Sequence, residues 1–153
     1  MNYLVSSLAR SVDRWHDAAS LASSFLPWRG VFISYRIKTR IAGRVRSDGI
    51  CMVGVFSNQV GLDNRAGGQF QVGKNGCFIA GYNVRISRGC KLFVNGTLSI
   101  GHLTYINPMS MILAQTRVTI GEHCAISWNF QALDSDLHTV VTDGVDGTTS
   151  API

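Results

Sequence analysis

The sequence predicts an all-β domain, a parallel β-helix, preceded by one N-terminal α-helix. Three observations support this prediction: an early stretch with apolar residues three or four apart, a later stretch with apolar residues six apart, and sixteen glycines against three prolines. Many glycines with frequent Val and Ile favour short strands joined by tight turns. The 153 residues, 46% of them hydrophobic, are enough for one core and too few for two full domains.

Residues 1–30 are predicted to form an amphipathic helix and a linker. The helix is expected to end at Pro27, and it buries one face through Leu4, Leu8, Val12, Trp15, Ala19, Ala22 and Leu26. It either covers an end of the following domain or makes a peripheral membrane contact through its aromatic and arginine side chains. No apolar run reaches the length of a signal or membrane-spanning segment, so we expect a cytoplasmic protein.

The positive charge is concentrated in the N-terminal part. Eight of the fourteen Lys and Arg residues are Arg10, Arg14, Arg29, Arg36, Lys38, Arg40, Arg44 and Arg46. This face either attracts phosphate-bearing ligands or an anionic membrane, or is simply solvated. Aromatic residues do not alternate with these charges, so no nucleic-acid partner is expected. The four cysteines form no CxxC pair and are predicted to be reduced thiols.

Residues 31–153 are predicted to form the β-helix domain, because an apolar residue opens successive six-residue blocks. The period is clearest at Ile100, Ile106, Ile112 and Val118, and a second phase starts at Ile120, as if the register slipped once. An α-helix has a period of 3.6 and a flat strand a period of two. A parallel β-helix, with one short strand and one turn per block, explains a period of six. The small residues Thr104, Ser110 and Thr116 are predicted to lie at its corners.

The period continues upstream in two phases. One phase contains Val72, Phe78, Val84 and Cys90, and the other contains Ile86, Leu92 and Leu98. For residues 50–98, chance or an ordinary antiparallel sheet remains the alternative interpretation.

The blocks from Ile100 to Ala132, followed by Asp134-Ser135-Asp136-Leu137-His138, resemble the hexapeptide-repeat acyltransferases. The resemblance covers residues 70–153, and it is nearest to the sugar and polysaccharide O-acetyltransferases. It implies a left-handed triangular prism, a homotrimer with active sites between subunits, and acetyl transfer from acetyl-CoA to a sugar-like hydroxyl. No metal is implied.

His138 is the predicted general base, because the resemblance places a catalytic histidine at the end of such a segment. Neutral imidazole can accept the hydroxyl proton near neutral pH. Asp136 is predicted to orient the imidazole, with Asp134 as second candidate, in an active-site loop spanning residues 134–150. The alternative is a solvated loop histidine.

Four residues are predicted to contact the acceptor: Asn107, Trp128, Asn129 and Asp134. The resemblance implies that Asn107 bonds the sugar hydroxyl, whereas a tolerated corner asparagine is the alternative. Trp128 and Asn129 are expected to line the pocket, since an aromatic face packs well on a sugar ring. A subunit-interface position suits Trp128 equally.

Two other functions are alternatives to acetyl transfer. γ-type carbonic anhydrases share the β-helix, but His102, His123 and His138 are 21 and 15 residues apart, which disfavours a zinc site. The chain ends in Ala151-Pro152-Ile153, where the resembling family begins another coil, so truncation at the C-terminus is expected. A non-catalytic scaffold or a truncated inactive fragment is therefore the alternative function.

Overall fold

A computed structural model describes residues 30–34, 36–54, 67–142, 145–150 and 153. The side chains of residue 136, residues 138–142 and residues 145–150 are outside this description. The predicted N-terminal helix also lies outside the described residues. Every regular element in the described part of the chain is a β-strand.

The strands form three parallel sheets and one hairpin. Sheet A contains β1 (Val31–Ile33), β4 (Cys51–Val53), β7 (Val84–Ile86), β10 (Tyr105–Ile106) and β13 (Ala125–Ile126). Sheet B contains β2 (Ile37–Ile41), β5 (Gly68–Val72), β8 (Lys91–Val94), β11 (Met111–Ala114) and β14 (Gln131–Leu133). Sheet C contains β3 (Arg44–Ser47), β6 (Cys77–Ala80), β9 (Thr97–Ile100) and β12 (Arg117–Ile120). The antiparallel hairpin pairs β15 (Ser135–Thr142) with β16 (Val145–Ser150).

The chain passes through sheets A, B and C in turn, so each circuit forms one coil stacked on the previous one. In the later coils, paired residues are 20 apart, as in Tyr105 with Ala125 and Met111 with Gln131. All pairings within sheets A, B and C are parallel, which makes the antiparallel alternative for residues 50–98 wrong in their described part. The fold is thus all-β and β-helix-like.

Each side of a coil buries two residues that are two positions apart, as expected for a strand. In the fourth coil these pairs are Thr104 and Ile106, Ile112 and Ala114, and Val118 and Ile120. Val118 and Ile120 therefore belong to one strand, and the predicted single register slip between them is wrong. The corner between sheets A and B carries two additional residues in each of the later coils, which changes the phase of the six-residue pattern every time.

The core is continuous along the stack because equivalent inward residues touch across coils. Ile86 pairs with Ile106, and Leu92 pairs with Ile112; all four are at most 1% exposed. Phe70 and Phe78 meet edge to face with ring centroids 5.1 Å apart. One apolar column thus joins the sheets into a single packed unit.

The corners are closed by small hydroxyl residues and by backbone in the left-handed region. As predicted, Thr104 and Ser110 lie at corners: they are buried, and their hydroxyls donate to the carbonyls of Gly121 (2.8 Å) and Asn107 (2.9 Å). Residues with positive φ recur every 20 positions, at Asn83, Leu103 and His123, and again at Gly89, Met109 and Asn129. These corners therefore repeat with the coil.

The corner between sheets B and C is tight for a different reason. A Cβ atom at Gly43, Gly76 or Gly96 would collide with a backbone carbonyl of the adjacent coil. Glycine is required there because backbones of successive coils approach too closely for any side chain.

The regular coil is interrupted at Asp134. One coil length after Val118 would be residue 138, yet it is Ile153 that bonds alongside Val118, through Ile153 N to Arg117 O (2.9 Å) and Thr119 N to Ile153 O (2.7 Å). The chain therefore makes a 15-residue excursion before it returns to sheet C. The segment predicted as an active-site loop, residues 134–150, forms the β15–β16 hairpin over most of its length.

Candidate functional site

The hairpin contains a backbone irregularity at the predicted catalytic residues. Ser135 pairs with Ser150 and Thr139 pairs with Thr148, so Asp136, Leu137 and His138 stand opposite one residue of β16. Leu137 has φ of 60° and is 65% exposed, and its N–H donates to Ser135 Oγ over 3.2 Å. A bulge of this kind redirects side chains, and bulges are frequent next to active sites. The side chains of Asp136 and His138 are outside the described part, so their predicted roles stay predictions.

Asp134 anchors the start of the hairpin. Its side chain is 3% exposed, Oδ1 accepts the N–H of Gln115 (2.7 Å), and Oδ2 accepts those of Thr116 (2.7 Å) and Arg117 (2.6 Å). These three amides belong to the B–C corner of the preceding coil. The observed contacts of Asp134 are structural, and any acceptor contact with its carboxylate would compete with three backbone donors.

Asn107, Trp128 and Asn129 lie together at the A–B corner of the last two coils. Asn107 Nδ2 donates to the Ile126 carbonyl over 2.8 Å, and no described residue donates to its Oδ1. Asn129 N donates to Pro108 O (3.2 Å), and Trp128 is 37% exposed. This corner can therefore offer an amide oxygen and an aromatic surface to a ligand.

The predicted site residues form two groups at different corners of one chain. Strand β14 separates the A–B corner from Asp134 at the B–C corner. From residue 130 to residue 134, an extended chain covers about 13 Å at about 3.3 Å per residue. Within one chain the structure brings Asn107, Trp128 and Asn129 together, and it brings Asp134 to the base of the hairpin.

His102 has a different environment from that predicted for His138. Its Nδ1 accepts the N–H of Tyr82 over 2.8 Å, and its Nε2 lies 3.7 Å from Glu122 Oε1. The backbone bond occupies the lone pair that a general base would need. These contacts fit the structural role expected for His102, whereas His123 is exposed at the equivalent corner of the next coil.

Three of the four cysteines, Cys51, Cys77 and Cys90, are buried, and all four are free. Burial raises the pKa of Cys51 from 9.0 to about 12. Burial also raises the pKa of Cys90 to about 11, although backbone hydrogen bonds partly oppose the shift. Protonated thiols in the core are poor nucleophiles.

Within the described residues, no group of three or more His, Cys, Asp or Glu side chains could hold a metal ion. The same part of the chain contains no helix long and apolar enough to cross a membrane.

Comparisons with known proteins give no match. No family model fits this chain, and neither the curated proteins nor the solved structures contain a significant similarity to it.

Sequence reasoning missed the structural role of Asp134, although a signal was present. With a 20-residue coil, Asp134 takes the inward position held by Val94 and Ala114 in the preceding coils. A carboxylate at that position is costly in a dry core unless it is hydrogen-bonded. Aligning the coils at 20 residues would have marked Asp134 as the point where the regular coil stops.

Proposed function

We propose that this protein is an O-acetyltransferase that moves an acetyl group from acetyl-CoA to a hydroxyl of a sugar or polysaccharide precursor. The observation that carries the proposal is the bulge at Asp136-Leu137-His138, in the hairpin that leaves the regular stack after Asp134. β-Bulges are frequent next to active sites, where they redirect side chains. The preceding repeats and this segment resemble the hexapeptide-repeat acyltransferases, a family whose coils are left-handed. This resemblance is the basis for the proposed reaction type and for a left-handed coil in this protein.

In the proposed mechanism, His138 accepts the proton of the acceptor hydroxyl while that oxygen attacks the thioester carbonyl. Asp136 stabilises the imidazolium that forms. When the C–S bond breaks and the ester forms, the imidazolium of His138 returns the proton to the departing thiolate. The products are the acetyl ester and CoA with a protonated thiol, and the proposed steps need no metal.

We further propose that the active site forms between two subunits of a homotrimer. Large exposed apolar side chains line sheet A and its two corners: Tyr82 (45%), Leu103 (43%), Tyr105 (45%), Met109 (48%) and Trp128 (37%). Covering this face with a neighbouring subunit would bury them. The neighbour's hairpin would then lie near Asn107 and Trp128, which joins the two groups of site residues that one chain keeps apart.

The first test is acetyl transfer from acetyl-CoA to a panel of sugars by the wild type and by His138→Ala. We expect His138→Ala to lower kcat/KM by about 10²–10⁴, the usual effect of losing general-base catalysis. His123→Ala is the matched control and should retain activity. Activity of His138→Ala within about threefold of the wild type would rule out His138 as the base.

Two additional measurements separate the alternatives. Mixing the separately inactive His138→Ala and Asn107→Ala chains should restore part of the activity, because some composite sites then receive both intact residues. No recovery despite subunit exchange would contradict the intersubunit site.

Calorimetric titration with acetyl-CoA distinguishes an enzyme from a scaffold, since a non-catalytic scaffold need not bind it.

A further inference from the structure

The first two coils carry a concentrated group of exposed cations at the B–C corner. Lys38 and Arg40 project outward from β2, and Arg44 and Arg46 project outward from β3, on either side of the turn at residues 42–43. Lys74 lies at the tip of the equivalent turn in the second coil, which is two residues longer. We call these five residues the basic corner.

The alternating register of the strands explains why these side chains face solvent. Thr39 and Val45 are in register with the buried Phe70 and Phe78, so their neighbours in β2 and β3 point away from the core. Adjacent coils are about 4.8 Å apart, and alternate residues of one strand are about 7 Å apart. Five positive charges therefore occupy a small area at one end of the stack.

Little negative charge offsets this group within the described residues. In the described part of the first two coils Asp48 is the single acidic residue, and it follows β3 at the opposite end of that strand. All five cations are exposed, and no ion pair is seen between them and a described carboxylate. The basic corner thus presents a net positive potential to any molecule that approaches it.

We propose that the basic corner binds an anionic membrane surface. The cations stand on a convex edge, where two sheets meet, so they cannot enclose a small phosphate ligand as a pocket would. In the second coil, the residues that pair with the four cations of β2 and β3 are Gln69, Gln71, Cys77 and Ile79. None of them is an aromatic platform for stacking nucleic-acid bases. A convex group of Lys and Arg without such residues fits the headgroup plane of acidic lipids.

The position of the corner is compatible with an active site elsewhere. The basic corner lies in the first two coils, whereas Asp134 and the hairpin lie in the fifth coil, along the same B–C corner. Membrane binding is therefore separable from acetyl transfer.

The test is co-sedimentation of the full chain with vesicles of phosphatidylcholine and phosphatidylglycerol at low salt. Arg40→Glu with Arg44→Glu should weaken binding at least about twentyfold, because each surface cation contributes about fivefold. The control, Arg85→Glu with Lys91→Glu, makes the same change in net charge on exposed positions outside the B–C corner. Circular dichroism verifies that each variant is folded.

The outcomes separate the possible sources of binding. The proposal expects binding by the wild type and the control, loss in the corner variant, and loss in high salt. Equal loss in the control would show that net charge, not the corner, is responsible. Binding to neutral vesicles, retention of binding by the corner variant, or binding to duplex DNA without binding to vesicles would each overturn the proposal.

Discussion

At the scale of single residues, Asp134 is a buried carboxylate that is stabilised by backbone hydrogen bonds. It is an acidic side chain in an inward position, and both of its oxygens accept backbone N–H groups from the previous coil. Hydrogen bonds to a charged group are worth about 1.5–3 kcal/mol each, and an unsatisfied buried amide is costly. Asp134 therefore stabilises the corner at which the hairpin begins.

We expect Asp134→Asn to lower the free energy of unfolding by about 2–4 kcal/mol, because a neutral amide can replace only part of the three bonds. Urea unfolding measures this change. Asp48→Asn, at an exposed position, serves as the control and should change stability by less than about 0.5 kcal/mol. An Asp134→Asn protein as stable as the wild type would show that these bonds contribute little.

At the scale of elements, the corners differ more than the strands do. The C–A corner places Asn83, Leu103 and His123 in the left-handed region, at φ of 56°, 56° and 54°. Asparagine tolerates this conformation, whereas leucine there costs roughly 1–2 kcal/mol. The third and fourth coils thus form the same turn with residues that differ in their preference for positive φ.

Exchanging these residue types gives a matched pair of variants. In the monomer, where Leu103 is 43% exposed, Leu103→Asn should raise the free energy of unfolding by about 0.5–1 kcal/mol, because it relieves backbone strain. Asn83→Leu should lower stability by a similar amount. Thermal and urea unfolding measure the change in stability of both variants. A change of the same sign in both would contradict the claim that leucine is strained at this corner.

The elements also show what could be predicted from sequence. The aliphatic pattern was sufficient for the parallel stack, because inward positions such as Ile106 and Ile112 must be apolar in any coil. The additional residues at the A–B corner were not evident, because Asn107 and Met109 are exposed or half-buried and follow no hydrophobic pattern. The hairpin bulge depends on backbone φ at Leu137, a residue type that does not favour positive φ.

At the scale of the whole molecule, the core keeps ionisable thiols protonated. Cys51 is 0% exposed and Cys90 is 2% exposed, and their pKa values are raised to about 12 and about 11. Above the ordinary thiol pKa of 9.0, the unfolded chain releases protons that the native protein retains. Stability from these groups is therefore complete below pH 9 and declines as the pH rises towards the native values.

Raising the pH from 8 to 10 should cost the native protein about 2–3 kcal/mol through Cys51 and Cys90 together, at about 1.4 kcal/mol per pH unit and group. Urea unfolding at the two pH values measures the total loss. Comparison with Cys51→Ala/Cys90→Ala isolates the thiols, because other titrating groups affect both proteins equally. An identical pH dependence in both proteins would show that Cys51 and Cys90 do not cause the loss of stability.

The repeating coil also gives the molecule an adjustable length. Each circuit adds one strand to each of the three sheets, so a whole inserted or deleted coil would change the separation of the basic corner and the hairpin by about 4.8 Å. The sequence of neither end would need to change. Such a stack can vary the reach between its two ends in fixed increments, a freedom that a globular core with mutually dependent elements does not have.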